Sequence, residues 1–235
     1  MEHVGCPARW QRSNHIGVAF SLLPTSLPTP HIYTNFPFSA RLYESILRMK
    51  ANGILPGTNT FPDNDGYVLA ARRGLIISSH HYNILGLSPV MQGGPQWYPE
   101  VFDYQKRPDA MIYAWNASAT VFSTYPEVFY TVGLRGPGDE PATCDGHCTL
   151  RDKAEHVSWA IGNQTGIVEK VVENPKYYAW LWAEGLSYLE AGYLKIPDNA
   201  TVIFTDGGDG EVKGLEYAKN GAGICTSVGA KEKMS

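Results

Sequence analysis

The sequence predicts an α/β fold: a parallel sheet, closed or open, whose strands alternate with helices. Two observations carry this. From about residue 39 to residue 206, helical periodicities alternate with short apolar runs rich in β-branched and aromatic residues. Four successive apolar runs also end in an ionisable residue. "LIISS" leads into His80 and His81, "EVFYTVGLR" ends at Arg135, "YYAWLWAE" at Glu184 and "TVIFTD" at Asp206. A charge at the end of a buried strand is costly unless it faces a polar cavity or a partner. In parallel sheets ligands collect at the carboxyl ends of the strands, so four such ends in a row predict one shared site.

The elements follow in order. Residues 1 to 41 are read as an irregular leader, with prolines at 24, 28, 30 and 37 and no sustained period. "SARLYESILRMKAN" places Leu42, Ile46, Leu47 and Met49 at helical spacing, with Gly53 as the stop. "GILPG" is a strand end. "DNDGYVLAARRG" is a helix closed by Gly74, and "LIISS" is a strand. "PDAMIYAWNASA" is a helix starting at Pro108 or Asp109, and "EVFYTVGLR" a strand. A long helix over "DKAEHVSWAIGNQTGIVEKVVE" precedes the strand "YYAWLWAE", the short helix "GLSYLEAGY" and the strand "NATVIFTD". The glycine-rich tail receives no element.

Alternation along these strands predicts one face holding Tyr178, Trp180, Trp182 and Glu184, and another holding Val202, Phe204 and Asp206. It allows only one of His80 and His81 on the inner face. The other is then a supporting residue. Trp182 reads as an aromatic stacking face or as core, and Trp180 reads as core.

Composition narrows the class. The 235 residues suffice for one large domain or two small ones, and the 43% apolar fraction suits a sizeable core. A net charge of −4 gives no indication of a nucleic-acid partner. No apolar run approaches the length of a membrane span. Arg9 and Arg12 before "IGVAFSLL" faintly resemble a secretory leader, with an apolar run at the lower limit. Glycosylation sequons at Asn116, Asn163 and Asn199 lean the same way. Cys144 and Cys148 lie in one Gly- and Pro-rich stretch, where a local disulfide and two free thiols are both open readings. Zinc bound there with His147 lacks a second cysteine pair.

The segments "LYESILRMKAN", "SHHYNILGL", "GLRGPGDEP" and "WLWAEGLSYLEAGYLKIPDNATVIFTD", in this order and spacing, resemble glycoside hydrolase family 115, the α-glucuronidases acting on xylan, in a divergent fungal-type branch. The resemblance spans roughly residues 42 to 210. It implies a (β/α)8 TIM barrel, partial in this chain, with residues 211–235 as a tail. It implies release of glucuronic or 4-O-methylglucuronic acid, α-1,2-linked to xylose, by inversion and without a cofactor or metal. By position, Asp139 matches the acidic residue of the "RGxGD" element, a base for water, and Arg135 its arginine, a clamp for the substrate carboxylate. Glu184 matches the family's glutamate of "KEV", an acid or a hydroxyl-orienting group. His80 and His81 match the histidine pair, and Asp206 the later acidic element. Arg135 is equally readable as the ion-pair partner of Asp139.

Three departures bear on substrate: Tyr82-Asn83 follows the histidines where the family has Glu-Pro, Trp182-Ala183 precedes Glu184, and "TDGGDG" replaces a richer acidic element. The resembling stretch starts partway round the barrel and stops before closure. Little turnover is therefore expected from this chain alone, and a sugar-binding barrel without turnover is the alternative. The implied partner is glucuronoxylan or its oligosaccharides, with no nucleic acid or membrane. The resemblance implies an extracellular setting, with family members that often dimerise through modules absent here. A metal hydrolase built from His80, His81, Asp139 and Asp206 is disfavoured, because adjacent histidines on a strand point to opposite faces.

Overall fold

The computed structural model describes residues 18–20, 36–56, 61–89, 103–136, 140–142, 144, 146–181, 184–205, 214–217 and 222–225. Seven strands run in chain order across one sheet: β1 (Val18–Phe20), β2 (Gly53–Leu55), β3 (Ile76–Ser78), β4 (Val128–Val132), β5 (Lys176–Leu181), β6 (Ala200–Thr205) and β7 (Ala222–Cys225). Every neighbouring pair is parallel. Helices α1 (Phe36–Arg48), α2 (Asp65–Arg72), α3 (Pro108–Phe122), α4 (Leu150–Val168) and α5 (Gly185–Glu190) fill the connections from β1 to β6. Sequential parallel order with helical crossovers is the wall of a (β/α) barrel. Among the described residues no pairing joins β7 back to β1, so the sheet is an open arc. The order β3, β4, β5, β6 is as the sequence predicts.

Local chemistry sets the helix ends. In α2, the Asn64 side chain accepts a hydrogen bond from the Gly66 amide at 3.1 Å. Thr149 and Asp152 cap α4 reciprocally, through Asp152 N–H to Thr149 Oγ1 at 3.2 Å and Thr149 N–H to Asp152 Oδ2 at 2.9 Å. Pro108 opens α3, where its missing N–H costs nothing. In α1 the stop is Lys50, at φ 63°, and not Gly53, which is the first residue of β2. Ala51 N–H reaches Ile46 C=O and Lys50 N–H reaches Leu47 C=O, the two bonds that end a helix through a left-handed residue. Met49 therefore lies beyond the helix and is 70% exposed, while Tyr43 and Ile46 make the buried stripe.

Side-chain alternation gives the sheet two apolar faces. Ile54, Ile77, Tyr130, Val132, Tyr177, Ala179, Leu181, Val202 and Phe204 pack with the helices in the main core. Leu55, Phe129, Tyr178 and Ile203, with Ile76 and Trp180 beside them, form a second cluster on the opposite face. Phe129 and Tyr178 stack there with centroids 4.5 Å apart. The face expected for Tyr178 and Trp180 is thus the inner one. Val202 and Phe204 point the other way, because the β5–β6 register sets Trp180 opposite Ile203 and Leu181 opposite Phe204. Strands β1 and β7 fall where the sequence offered no element.

Burial pushes the Tyr43 and Tyr130 phenols from 10.0 up to about 12. A raised folded-state value stabilises the fold fully below the unfolded value of 10.0 and stops doing so as pH passes about 12. Alkaline titration should therefore show a late tyrosinate absorbance step that coincides with loss of the circular dichroism signal between these values. A step that runs ahead of unfolding would count against the buried placement.

Candidate active site

The carboxyl ends of β3, β4 and β5 bring four predicted residues together. After β3 the chain leaves the ladder at Ser79, so strand alternation no longer governs the two histidines. His80 and His81 are both buried, their rings 3.9 Å apart, and each lies 6.1 Å from the Trp180 ring. Of the two, His81 lines the cavity described below and His80 packs against it. Tyr82 N–H approaches His80 Nδ1 at 3.4 Å. The loop is tied to β4 by Leu85 N–H to Thr131 C=O at 2.9 Å, and to α3 by the Ser118 hydroxyl on Leu85 C=O. Ser78 Oγ donates to Phe129 C=O at 2.7 Å, fixing the end of β3 against β4.

After β4, Gly133 and Leu134 lead to Arg135, which is 7% exposed. Its Nη1 donates to Glu184 Oε1 at 2.7 Å. The ion-pair partner among the described residues is therefore Glu184. Glu184 does not continue the face of β5: the strand ends at Leu181, and Glu184 has helical φ and ψ as the N-cap residue of α5. Gly136 N–H donates to Glu140 C=O at 2.9 Å, holding residues 136 and 140 close. A Cβ on Gly136 would come within 2.8 Å of Pro141 O, so glycine permits that approach. Asp139, Trp182 and Asp206 lie outside the described residues.

His81, Arg135, Trp180, Glu184 and Tyr188 line one cavity of about 30 Å³, room for a single water-sized group. Two buried polar atoms on its lining residues, Trp180 Nε1 and Glu184 Oε2, have no hydrogen-bond partner among the described residues. One is a donor and the other an acceptor, the complement of a hydroxyl. Burial, then the Glu184 charge, pushes the Tyr188 phenol up to about 12, so it remains a neutral donor at ordinary pH.

Other predicted residues stand apart. A disulfide joins Cys144 to Cys148, with Cα atoms 6.3 Å apart, in the loop before α4. Asn116 and Asn163 sit within α3 and α4, each donating to the carbonyl four residues back at 2.8 Å. Asn199 is exposed just before β6. Among the described residues no group of three or more His, Cys, Asp or Glu is arranged to hold a metal, and no helix is long and apolar enough to cross a membrane.

The sequence profile of Glycosyl hydrolase family 115 matches residues 20–224. The chain belongs to this family. Among solved structures, the family 115 4-O-methyl-α-glucuronidase BtGH115A, described as having specificity for decorated arabinogalactans, superposes with a TM-score of 0.64 at 21% identity, over 92% of this chain and 28% of that one. The chain thus spans a little over a quarter of that relative, whose likeness supports the barrel fold. The Thermotoga maritima endoglucanase Cel5A, solved with cellobiose, gives 0.44 at 18% identity over 76% of this chain and 59% of its own, too loose to argue from. Comparison with curated proteins gives no match.

Sequence reasoning did not find Gln164 or the Trp180 contact with the histidines. Gln164 had a signal: it occupies an apolar-stripe position in α4, between Ile161 and Val168.

The buried pair yields a stability prediction. Glu184→Leu takes the Glu184 carboxylate away from the buried Arg135 guanidinium and should cost on the order of 3 kcal/mol in urea unfolding. Adding Arg135→Met to it should recover much of that loss. Equal stability of the Glu184→Leu variant and the parent would mean that the ion pair does not form.

Proposed function

We propose that this chain carries part of the catalytic barrel of a glycoside hydrolase that removes 4-O-methylglucuronic or glucuronic acid, α-1,2-linked to a xylan backbone, by inversion. The observation that carries this reading is the Arg135–Glu184 pair, set beside His81 and Trp180 around one small cavity at the strand ends. A guanidinium there suits a uronate carboxylate, and an aromatic ring suits the face of a sugar. The Glu184 Oε2 and Trp180 Nε1 atoms suit a sugar hydroxyl. The relative BtGH115A is described as acting on decorated arabinogalactans, so the same terminal sugar on that backbone is a second substrate to test.

In this reading Asp139 is the carboxylate that takes a proton from the attacking water, the departing oxygen takes its proton from a carboxylic acid on another part of the barrel as the glycosidic bond breaks, and Glu184 accepts a hydrogen bond from a sugar hydroxyl. Inverting glycosidases hold two such carboxyls roughly 6.5–9.5 Å apart, leaving room for the water. Arg135 keeps one oxygen of Glu184 engaged and directs the other into the cavity. The histidines, tilted against Trp180 with ring centroids 6.1 Å away, hold its ring in place. The protein belongs outside the cell in this reading, where its polysaccharide lies.

The test begins with binding and proceeds to turnover. The chain should bind 4-O-methyl-D-glucuronate, and Arg135→Lys should weaken that binding, because an ammonium cannot reproduce a guanidinium fork. In a complete barrel carrying this stretch, Asp139→Asn should lower uronic acid release from glucuronoxylan oligosaccharides by about 10²–10⁴-fold. Proton NMR of the first product formed should show the inverted anomer. Binding without release by the complete barrel would favour a sugar-binding barrel, and neither binding nor release would end the uronidase reading.

A further inference from the structure

We propose that Gln164, on the helix behind the site, is a positioning residue for Arg135. It is fully buried, and both ends of its amide grip one residue: Nε2 donates to Gly133 C=O at 2.8 Å, and Oε1 accepts from Gly133 N–H at 2.9 Å. The pairing of β4 with β5 ends at Val132 opposite Ala179, and that with β3 at Ser78 opposite Phe129. Gly133 lies beyond both of these ladders, and its buried backbone groups must find other partners. A primary amide is the side chain that offers one donor and one acceptor in the spacing of a peptide group. Gln164 therefore stands in for the missing strand.

The consequence falls on Arg135. Gly133 sits at φ 146°, a region open to glycine and avoided by side-chain-bearing residues, so the backbone pivots there and the Gln164 contact fixes its direction. Arg135 is two residues on, and its guanidinium reaches across to Glu184 at the start of α5. Val157 and Ile161, on the same helix as Gln164, line the cavity that Arg135 and Glu184 share. The direction in which Arg135 leaves β4 thus depends on a bidentate contact from α4. A Gln164 that served stability alone would matter no more to Arg135 than any other buried hydrogen bond.

The experiment reads Arg135 directly. In the ¹⁵N-labelled chain, the Arg135 Nε–H signal is assigned by its loss in Arg135→Lys. Gln164→Met, which keeps length and removes both bonds, should displace this signal and speed its exchange with solvent by about tenfold or more. Gln164→Glu, which keeps an oxygen for the Gly133 amide, should restore part of the native position. Tyr43→Phe, which removes the buried hydroxyl bond to Gly66 C=O, should lower stability and leave the signal in place. An unmoved signal in Gln164→Met, or an equal shift in Tyr43→Phe, overturns the proposal. Should Gln164→Met not fold, exchange in the parent chain decides: the Gly133 amide and Arg135 Nε–H should open together as urea is raised, and independent opening overturns it.

The link to sugar binding rests on the function proposed above. There, Gln164→Met should weaken 4-O-methyl-D-glucuronate binding by about tenfold. If the parent chain binds no uronate while the Arg135 signal still follows Gln164, the functional reading fails and the positioning role stands.

Discussion

Every neighbouring pair of strands in the sheet runs in the same direction, and the rest of the molecule depends on that constraint. A chain that has finished one strand must return to the other end before it can begin a parallel neighbour. The helices between β1 and β6 make those returns. All carboxyl ends then meet along one edge of the sheet, which is how Ser79, Gly133 and Leu181 come to launch their loops into a common space. Residues separated by about fifty positions, such as Arg135 and Glu184, become hydrogen-bonding neighbours without any local signal.

The two faces of the sheet play different parts. The outer one is filled by helix-facing side chains and contains most of the buried apolar surface. The inner one is a thin layer of Leu55, Phe129, Tyr178 and Ile203. Aromatic rings dominate that layer near β4 and β5 and continue upward through Trp180 to the two histidines. The cavity that Arg135 and Glu184 share is walled mainly from the helix side, by Val132, Val157, Ile161, Ala179, Leu181 and Leu194. That apolar wall keeps water away from one side of the Arg135–Glu184 pair, which strengthens the attraction while raising the cost of losing either partner.

Burying charge at the end of a strand requires the backbone there to be held firmly. Three contacts do so from different directions: Ser78 on the Phe129 carbonyl, Leu85 on the Thr131 carbonyl, and Gln164 on both polar groups of Gly133. Each bonds backbone where the ladder has run out or where a loop crosses it. The precision of the site is in this respect a product of backbone satisfaction, with side chains supplying what the absent strand would have supplied.

The alternation of elements, the parallel arrangement of the four central strands and the family were legible in the sequence. They depend on periodicity and on motifs that lie within a few residues of one another, such as "SHHYN" and "RGPGD". Helix stops and faces were less legible. Lys50 ends α1 through a left-handed turn that any residue pattern with glycine nearby would have hidden, and Met49 is left outside as a result. The sequence by itself determined which residues could carry charge to the strand ends. Only the tertiary structure decided that Arg135 pairs with Glu184, that both histidines reach Trp180, and that Val202 and Phe204 turn to the helices. Those outcomes are set by where each strand stops and by the register between neighbours, and a shift of one residue in either reverses the face of every side chain that follows.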